Sequence, residues 1–235
     1  MVSVLRPVVP RDRILKRALL ARVAMIYFAA PTIVLSLAPI GSGGDPSKSA
    51  SSYVMSGMQQ FRENKVAESI HDFDEAARLE PSIAPELWQR GISDYYAGKF
   101  REGRRQFESH QSVNPDDVEN AAWHFLCVAR TDGIQAARKA LIKIELTRDA
   151  RVPMAEIYAL FAGRGSEAAV LNAAKRADSE RARMYAHLYL GLYDEITGDA
   201  KNARTHIREA AAARLQGDYM HEVAKVHLLQ RKWDR

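Results

Sequence analysis

Histidine and acidic side chains stand close together at one place in the chain, and a histidine and a cysteine at another. Residues 71–75 hold His71 and three acids, and His124 precedes Cys127 by three positions. Consecutive residues of a helix point to different sides, so the acids around His71 are not expected to converge on one ion. Two groups such as His124 and Cys127 do not complete a tetrahedral zinc site. The sequence therefore predicts no metal and no cofactor.

The single cysteine is also the one candidate for a nucleophile. Cys127 lies in an apolar run, residues 123–128. A catalytic thiol needs an exposed, electropositive surrounding, and this run predicts the opposite. We therefore expect Cys127 to be a small buried hydrophobe. No other acid, base or nucleophile stands in a catalytic arrangement, and the sequence predicts that the chain is not an enzyme.

The charges of the chain are unevenly distributed. Its net charge is +5, but six of the 34 basic residues and only one of the 29 acids fall in the first 40 residues. The remainder holds 28 of each sign and is neutral overall. A basic surface for nucleic acid is therefore not expected, and the pattern of Arg101, Arg104 and Arg105 among acids indicates a solvated helix face.

The basic start of the chain precedes an uncharged run, residues 23–40. This order is typical of a signal peptide or an uncleaved signal anchor, which we assign to residues 1–40. An organelle transit peptide remains an alternative. Residues 41–52 are rich in glycine and serine and predict a flexible linker, followed by a folded domain over residues 53–235. We expect the domain on the extracytoplasmic side, with membrane contact through the first segment if it stays uncleaved.

A repeat of 34 residues organises the domain. Five residue types return after that interval: Gly57 and Gly91, Lys65 and Lys99, Glu68 and Glu102, Phe73 and Phe107, Pro81 and Pro115. Gly91 costs about 1 kcal/mol of helix propensity, so its recurrence indicates a close approach of two helices. The repeat resembles the tetratricopeptide repeat, a helical hairpin that stacks on its neighbours.

The resemblance implies an all-α fold, a right-handed α-solenoid of tetratricopeptide hairpins with a C-terminal capping helix over residues 219–233. Residues 50–83, 84–117 and about 184–216 are clear repeats, and residues from about 118 to 183 are degenerate ones. Five helix pairs and the cap are therefore predicted. The helices expected in the middle of the chain include residues 120–130 and 154–162, and Ser166 is expected to cap the helix that follows.

Three further segments carry a narrower resemblance: Tyr189-Leu190-Gly191-Leu192-Tyr193, Gly198-Asp199 and Asp218-Tyr219-Met220. With these, the chain is similar to the NlpI-type tetratricopeptide proteins, bacterial envelope lipoproteins that act as adaptors. This resemblance implies a non-enzymatic scaffold for protein partners, possible homodimers included. It departs in one respect, because those relatives carry a lipid on a cysteine after the signal, and no cysteine precedes Cys127.

In tetratricopeptide proteins, the first helix of a repeat usually lines a concave groove for peptides. Trp88, Ile92, Tyr95 and Tyr96 are spaced for one side of such a helix. The alternative is that these side chains pack between helices. The resemblance therefore implies these candidates for a groove that binds a peptide or protein: Met58, Arg62, Trp88, Ile92, Tyr95, Tyr96 and Arg130.

Two further functions stay open beside the adaptor. One is an assembly factor tethered to a membrane complex, which would keep its leader. The other is an enzyme or metal protein on a helical scaffold, for which we find no supporting residue pattern.

Overall fold

Helices follow one another along the chain from residue 48 to residue 234, the part that the computed structural model describes, and no strand occurs among these residues. This confirms the all-helical prediction. The leader predicted over residues 1–40 lies outside the described residues. The α-helices are α1 (Ala50–Arg62), α2 (Val66–Leu79), α3 (Trp88–Tyr96), α4 (Phe100–His110), α5 (Val118–Asp132), α6 (Ile134–Lys139), α7 (Met154–Phe161), α8 (Glu167–Ala177), α9 (Glu180–Thr197), α10 (Ala200–Ala211) and α11 (Tyr219–Arg231).

Two short 3-10 helices, Pro81–Glu86 and Leu146–Arg148, complete the regular structure of the described part. No helix in this part of the chain combines the length and the apolar character needed to cross a bilayer. Caps fix several boundaries. Ser166 accepts a hydrogen bond from the backbone N–H of Ala169, as predicted, and Gly198 ends α9 with φ +96°. Helix α2 ends at Leu79, so the 34-residue repeat predicts an end of α4 at Val113, but α4 ends at His110 because residues 111–113 form a turn.

Neighbouring helices pack in pairs, and glycines let three of these pairs approach closely. A Cβ atom placed on Gly91 would lie 2.7 Å from Cζ of Phe107, and one on Gly57 would lie 3.2 Å from the ring of Phe73. In the pair of α9 and α10, a Cβ on Gly191 would lie 2.6 Å from Ile207. The prediction that Gly57 and Gly91 are helix contacts is thereby confirmed.

Helix α5 runs through the centre of the hydrophobic core. All its residues from Val118 to Val128 are buried, and Trp123 is the largest fully buried side chain of the described residues. The two pairs after α4 are less regular than the others, because α6 has only six residues and α7 has eight. The degenerate repeats predicted here therefore correspond to short helices around one long buried helix.

The C-terminal helix contacts the first helix of the described chain. The ring of Tyr219 stacks on the ring of Phe61, with centroids 5.6 Å apart and planes 20° apart. At the other end of α11, Gln230 Nε2 donates a hydrogen bond of 2.7 Å to Asn64 Oδ1. Helix α11 also packs on α10, as a cap would. Its additional contact with α1 is not expected of a helix that only caps the end of a solenoid.

Candidate ligand-binding site

A cavity of about 680 Å³ lies between the start of α5, the start of α9 and the start of α11. Its size falls within the usual range for sites that hold a small ligand or a few side chains. Aromatic rings make up much of its wall. The residues that line it include Trp88, His110, Asn120, Trp123, Arg151, Val152, Tyr185 and Tyr219.

Trp88 is the half-buried aromatic residue of this wall. It is the first residue of α3, and its ring meets the edge of Tyr219 at a centroid distance of 5.2 Å. Deeper in the core, Trp123 stacks against Phe107 at 6.5 Å. The repeat therefore places one tryptophan where a ligand can reach it, while α5 places the other in the packed interior.

Four lining residues each keep one buried polar atom that has no hydrogen-bond partner within the described chain: His110 Nε2, Asn120 Oδ1, Trp123 Nε1 and Tyr219 Oη. Most buried polar atoms in proteins are hydrogen-bonded, and each exception calls for a water or a ligand. The cavity wall thus contains four residues with a buried polar atom that the described chain does not satisfy.

The roles of these atoms follow from their other bonds. His110 Nδ1 lies 2.8 Å from the carbonyl oxygen of Pro85, which only accepts, so Nδ1 carries the hydrogen. In the neutral ring, His110 Nε2 is then an acceptor. Asn120 donates its amide to the Phe107 carbonyl oxygen, which leaves Oδ1 as a second acceptor, and the indole of Trp123 can only donate. These buried atoms therefore include two acceptors and one donor.

A cluster of paired charges forms the remaining wall. Arg151 donates hydrogen bonds to Glu119, to Asp117 at 2.5 Å and to Asp149 at 2.7 Å. Tyr189 Oη donates to the second oxygen of Glu119 at 2.7 Å. Because these acids share one guanidinium, the cluster holds the loop that carries Arg151 against the start of α5.

Burial changes the proton affinity of this cluster. It raises the pKa of Glu119 to about 7, against the opposing charge of Arg151. Burial also disfavours the ionised form of Asp149, but the hydrogen bond and charge of Arg151 outweigh it and lower the pKa of Asp149. The cluster holds three carboxyls for one guanidinium, so it keeps a net negative charge beside the cavity, which disfavours an acidic ligand.

The structure places the seven predicted groove residues in three environments. Trp88 lines the cavity. Met58 is partly buried against the core, and Ile92, Tyr95 and Tyr96 are buried in it. Arg62 and Arg130 are half-exposed. The role of these residues in binding a partner remains a prediction. Of the seven, Trp88 is the one that lines the cavity.

Helix α11 and an ion cluster cover the helix face that the spacing would leave open. Tyr96 Oη lies 2.9 Å from His227 Nδ1 on α11. Arg130 donates to Tyr95 Oη at 3.1 Å and to Glu195 at 2.6 Å, and Arg231 on α11 donates to the same carboxylate. These contacts hold the predicted groove side of α3 against the C-terminal helix.

The histidine and acidic residues of the segment 71–75, together with His124 and Cys127, do not line the cavity. Cys127 is fully buried, as predicted, and burial raises its pKa well above the usual range for a thiol. His124 is buried and places Nε2 3.3 Å from Glu108 Oε1. His71 is exposed on α2, while Phe73 is buried. The prediction that the chain is not an enzyme stays untested.

Several residues of the cavity have no counterpart among the sequence candidates. Arg151, Glu119 and Tyr185 reach it from a loop and two helices far apart in sequence. Asp117 and Glu119 have the ordinary pattern of a helix start, since Asp117 caps α5 by accepting from the N–H of Glu119. The acidic residues at this helix start predict a helix cap, but they do not predict the ion pairs with Arg151.

The described fold is an all-helical one with paired helices and a cavity lined by aromatic and polar residues. No protein-family model matches the chain, and no curated protein matches it either.

Proposed function

We propose that the chain is a non-enzymatic tetratricopeptide adaptor that binds a segment of a partner protein in the cavity beside Trp88. The observation that carries this proposal is the cavity itself, with half-buried Trp88 among its aromatic lining residues. The recurring contacts of Gly57 with Phe73 and of Gly91 with Phe107 support the repeat family.

A peptide segment suits the chemistry of the wall. A peptide combines polar and apolar groups, and the wall likewise combines aromatic rings with polar and charged side chains. Aromatic side chains such as Trp88 are frequent anchors of protein interfaces. Since the acids near the cavity outnumber Arg151, we expect the inserted side chain not to be acidic, and an aromatic or an amide side chain meets this condition.

The compartment is a separate part of the proposal and rests on the leader. Six basic residues ahead of an uncharged run favour export or anchoring, with the helical domain on the extracytoplasmic side. Determining the N-terminus of the mature protein in its own cells tests this. A cleaved leader supports an exported adaptor, whereas an uncleaved one supports the membrane-tethered assembly factor.

Site-specific photo-crosslinking tests the binding site. Val152 lines the cavity and is 43% exposed, so a photoreactive benzoylphenylalanine should be tolerated there. Leu229 is 44% exposed on α11 and does not line the cavity, which makes it the matched control position. We expect the probe at position 152 to capture a defined peptide of one partner, identified by mass spectrometry.

The same experiment contains its own check. Adding Trp88→Ala to the chain with the probe at position 152 should remove the crosslink, because it removes the aromatic anchor. Equal crosslinks from positions 152 and 229, or an unchanged crosslink after Trp88→Ala, would show that the partner binds elsewhere.

A further inference from the structure

A group of side chains that could bind a metal ion lies outside the cavity, where α8, α9 and α10 meet. Glu167, Asp194 and His206 each offer one ligand atom there, and these atoms all lie within 4.8 Å of one another. None of the three residues lines the cavity described above. The group therefore stands independently of the proposed adaptor function.

Asp194 is the buried member of this group. It is 2% exposed, and its Oδ2 accepts no hydrogen bond from a donor of the described residues, although the Glu167 carboxyl lies within hydrogen-bonding range of Asp194. A buried carboxylate oxygen without a partner is costly, and a cation is one of the few partners that satisfies it fully. Glu167 and His206 are the neighbours that converge on this oxygen.

The distance between Asp194 and His206 is too long for a hydrogen bond and slightly longer than the distance between two ligands of one ion. His206 Nε2 lies 3.9 Å from Asp194 Oδ2, which is too long for a hydrogen bond. Ligand atoms about 2.0–2.2 Å from a tetrahedral Zn²⁺ lie roughly 3.2–3.6 Å from each other. A small movement of the two side chains would bring both atoms to that separation.

A neighbouring histidine orients the ring of His206. His187 Nδ1 lies 2.9 Å from His206 Nδ1, so one of the two nitrogens donates and the other accepts. When His206 donates, its Nε2 carries the lone pair that faces Asp194. Metal-bound histidines almost always donate their second ring nitrogen in this manner, and such partners tune the affinity for the metal.

We propose that Glu167, Asp194 and His206 bind a divalent cation of the zinc class, with His187 as the positioning residue. Imidazole nitrogen and carboxylate oxygen are both zinc ligands, and three protein ligands leave the fourth tetrahedral position to water. The ion would join α8, α9 and α10, and so brace the pair that contains the clear terminal repeat.

The chain contains a matched control for this site. Asp94 on α3 stands 100 residues before Asp194 and corresponds to it in the repeat. It is also buried, at 4% exposed, and burial raises the pKa of both carboxyls to about 7. Asp94 does not belong to the group of converging ligands found among the described residues.

The test uses the full-length protein without a histidine tag, stripped with a chelator and titrated with Zn²⁺ by calorimetry. We expect one Zn²⁺ per chain and a melting temperature that rises with Zn²⁺, since an ion that binds only the folded state stabilises it. Asp194→Asn, His206→Gln and Glu167→Gln should weaken binding at least a hundredfold. His187→Asn should weaken it about tenfold to a hundredfold.

Asp94→Asn should bind Zn²⁺ as the parent does. If the parent takes up no stoichiometric Zn²⁺, or if Asp94→Asn loses as much affinity as Asp194→Asn, the proposal is wrong. Circular dichroism identifies any variant that fails to fold. Should Asp194→Asn be one of these, the half-exposed Glu167 decides: a parent-like affinity of Glu167→Gln would overturn the site.

Discussion

Phe107 lies so close to Gly91 that even one added methyl group has no room. Gly91→Ala would place a Cβ 2.7 Å from Cζ of Phe107, whose ring is itself stacked against Trp123 and cannot turn away freely. We expect a loss of about 1–3 kcal/mol in the free energy of unfolding, although alanine improves helix propensity by about 1 kcal/mol. Denaturant unfolding measures this loss.

Gly57→Ala is the matched variant, because its Cβ would lie 3.2 Å from Phe73, half an ångström farther. It should therefore cost less than Gly91→Ala. Equal or raised stability of both variants would remove the packing explanation of the repeated glycines.

Two tryptophans separate binding from folding. Trp88→Ala removes a half-buried ring whose edge contact with Tyr219 is worth about 0.5–1.5 kcal/mol, so the protein should stay folded while losing its ligand. Trp123→Ala empties a fully buried site and should cost about 3–5 kcal/mol of stability. Thermal melts compare the two variants. A Trp88→Ala protein that melts as low as Trp123→Ala would show that Trp88 belongs to the core.

The burial of His227 makes the free energy of unfolding depend on pH. Burial lowers the pKa of His227 to about 3, against about 6.5 in an unfolded chain. Between these values the unfolded state binds the extra proton, so this residue subtracts stability as pH falls below about 6.5, by about 2–3 kcal/mol at pH 4.5. Above that pH it has no effect. His227→Gln should flatten the dependence between pH 6.5 and 4.5.

A His227→Gln protein with the slope of its parent would mean that His227 is not the buried neutral group described here.

At the scale of helices, the sequence predicted the pairing of helices that follow each other directly in the chain. The 34-residue spacing gave the pairs α1–α2 and α3–α4, because the glycine and aromatic of each pair lie close in sequence and meet directly. Helix ends were predicted less well. Helix α4 stops at His110 because of a turn whose residues, Gln111 to Val113, have no proline or glycine to mark it.

The contact of α11 with α1 carried no comparable signal. Asn64 and Gln230 are 166 residues apart, and no period relates them. A pattern of apolar residues shows that a helix has a face to bury, but it does not identify the helix that receives that face. The coverage of Tyr96 by α11 could not be predicted for the same reason.

Helix α11 should protect the first helix pairs. A chain that ends at Gly217 lacks Tyr219, which stacks on Phe61, and His227, which bonds Tyr96. We expect faster amide hydrogen exchange in residues 50–62 and 88–96, because their packed partner is gone. Residues 154–177, which do not pack on α11, should keep their protection. Unchanged exchange in residues 50–62 would contradict the closure of the fold by α11.

At the scale of the whole molecule, the cavity was beyond the reach of the sequence. Its wall combines the loop residue Arg151 with Trp88 and Tyr185, which three separate segments contribute. Only the three-dimensional arrangement brings them together. The aromatic character of Trp88 was predictable from its spacing, whereas the polar atoms beside it acquire meaning only because they are buried without partners.

The domain should fold without the leader. All described residues belong to one compact unit that starts near Gly44, and their charges are balanced. A chain that begins at Asp45 is therefore expected to be soluble, helical and cooperatively folded. Circular dichroism and a thermal melt measure this. Aggregation, or a helix content well below that of the described fold, would show that the leader is part of the structure.

The contact of α11 with α1 also sets the order in which a newly made chain can be completed. Ribosomes add about 5–20 residues per second, so the 158 residues from Phe61 to Tyr219 take roughly 10–30 s to synthesise. Throughout that time Phe61 has no Tyr219 to cover it. The nascent chain therefore exposes the apolar ring of Phe61 until α11 emerges. Exposed apolar surface of this kind favours the binding of chaperones during synthesis.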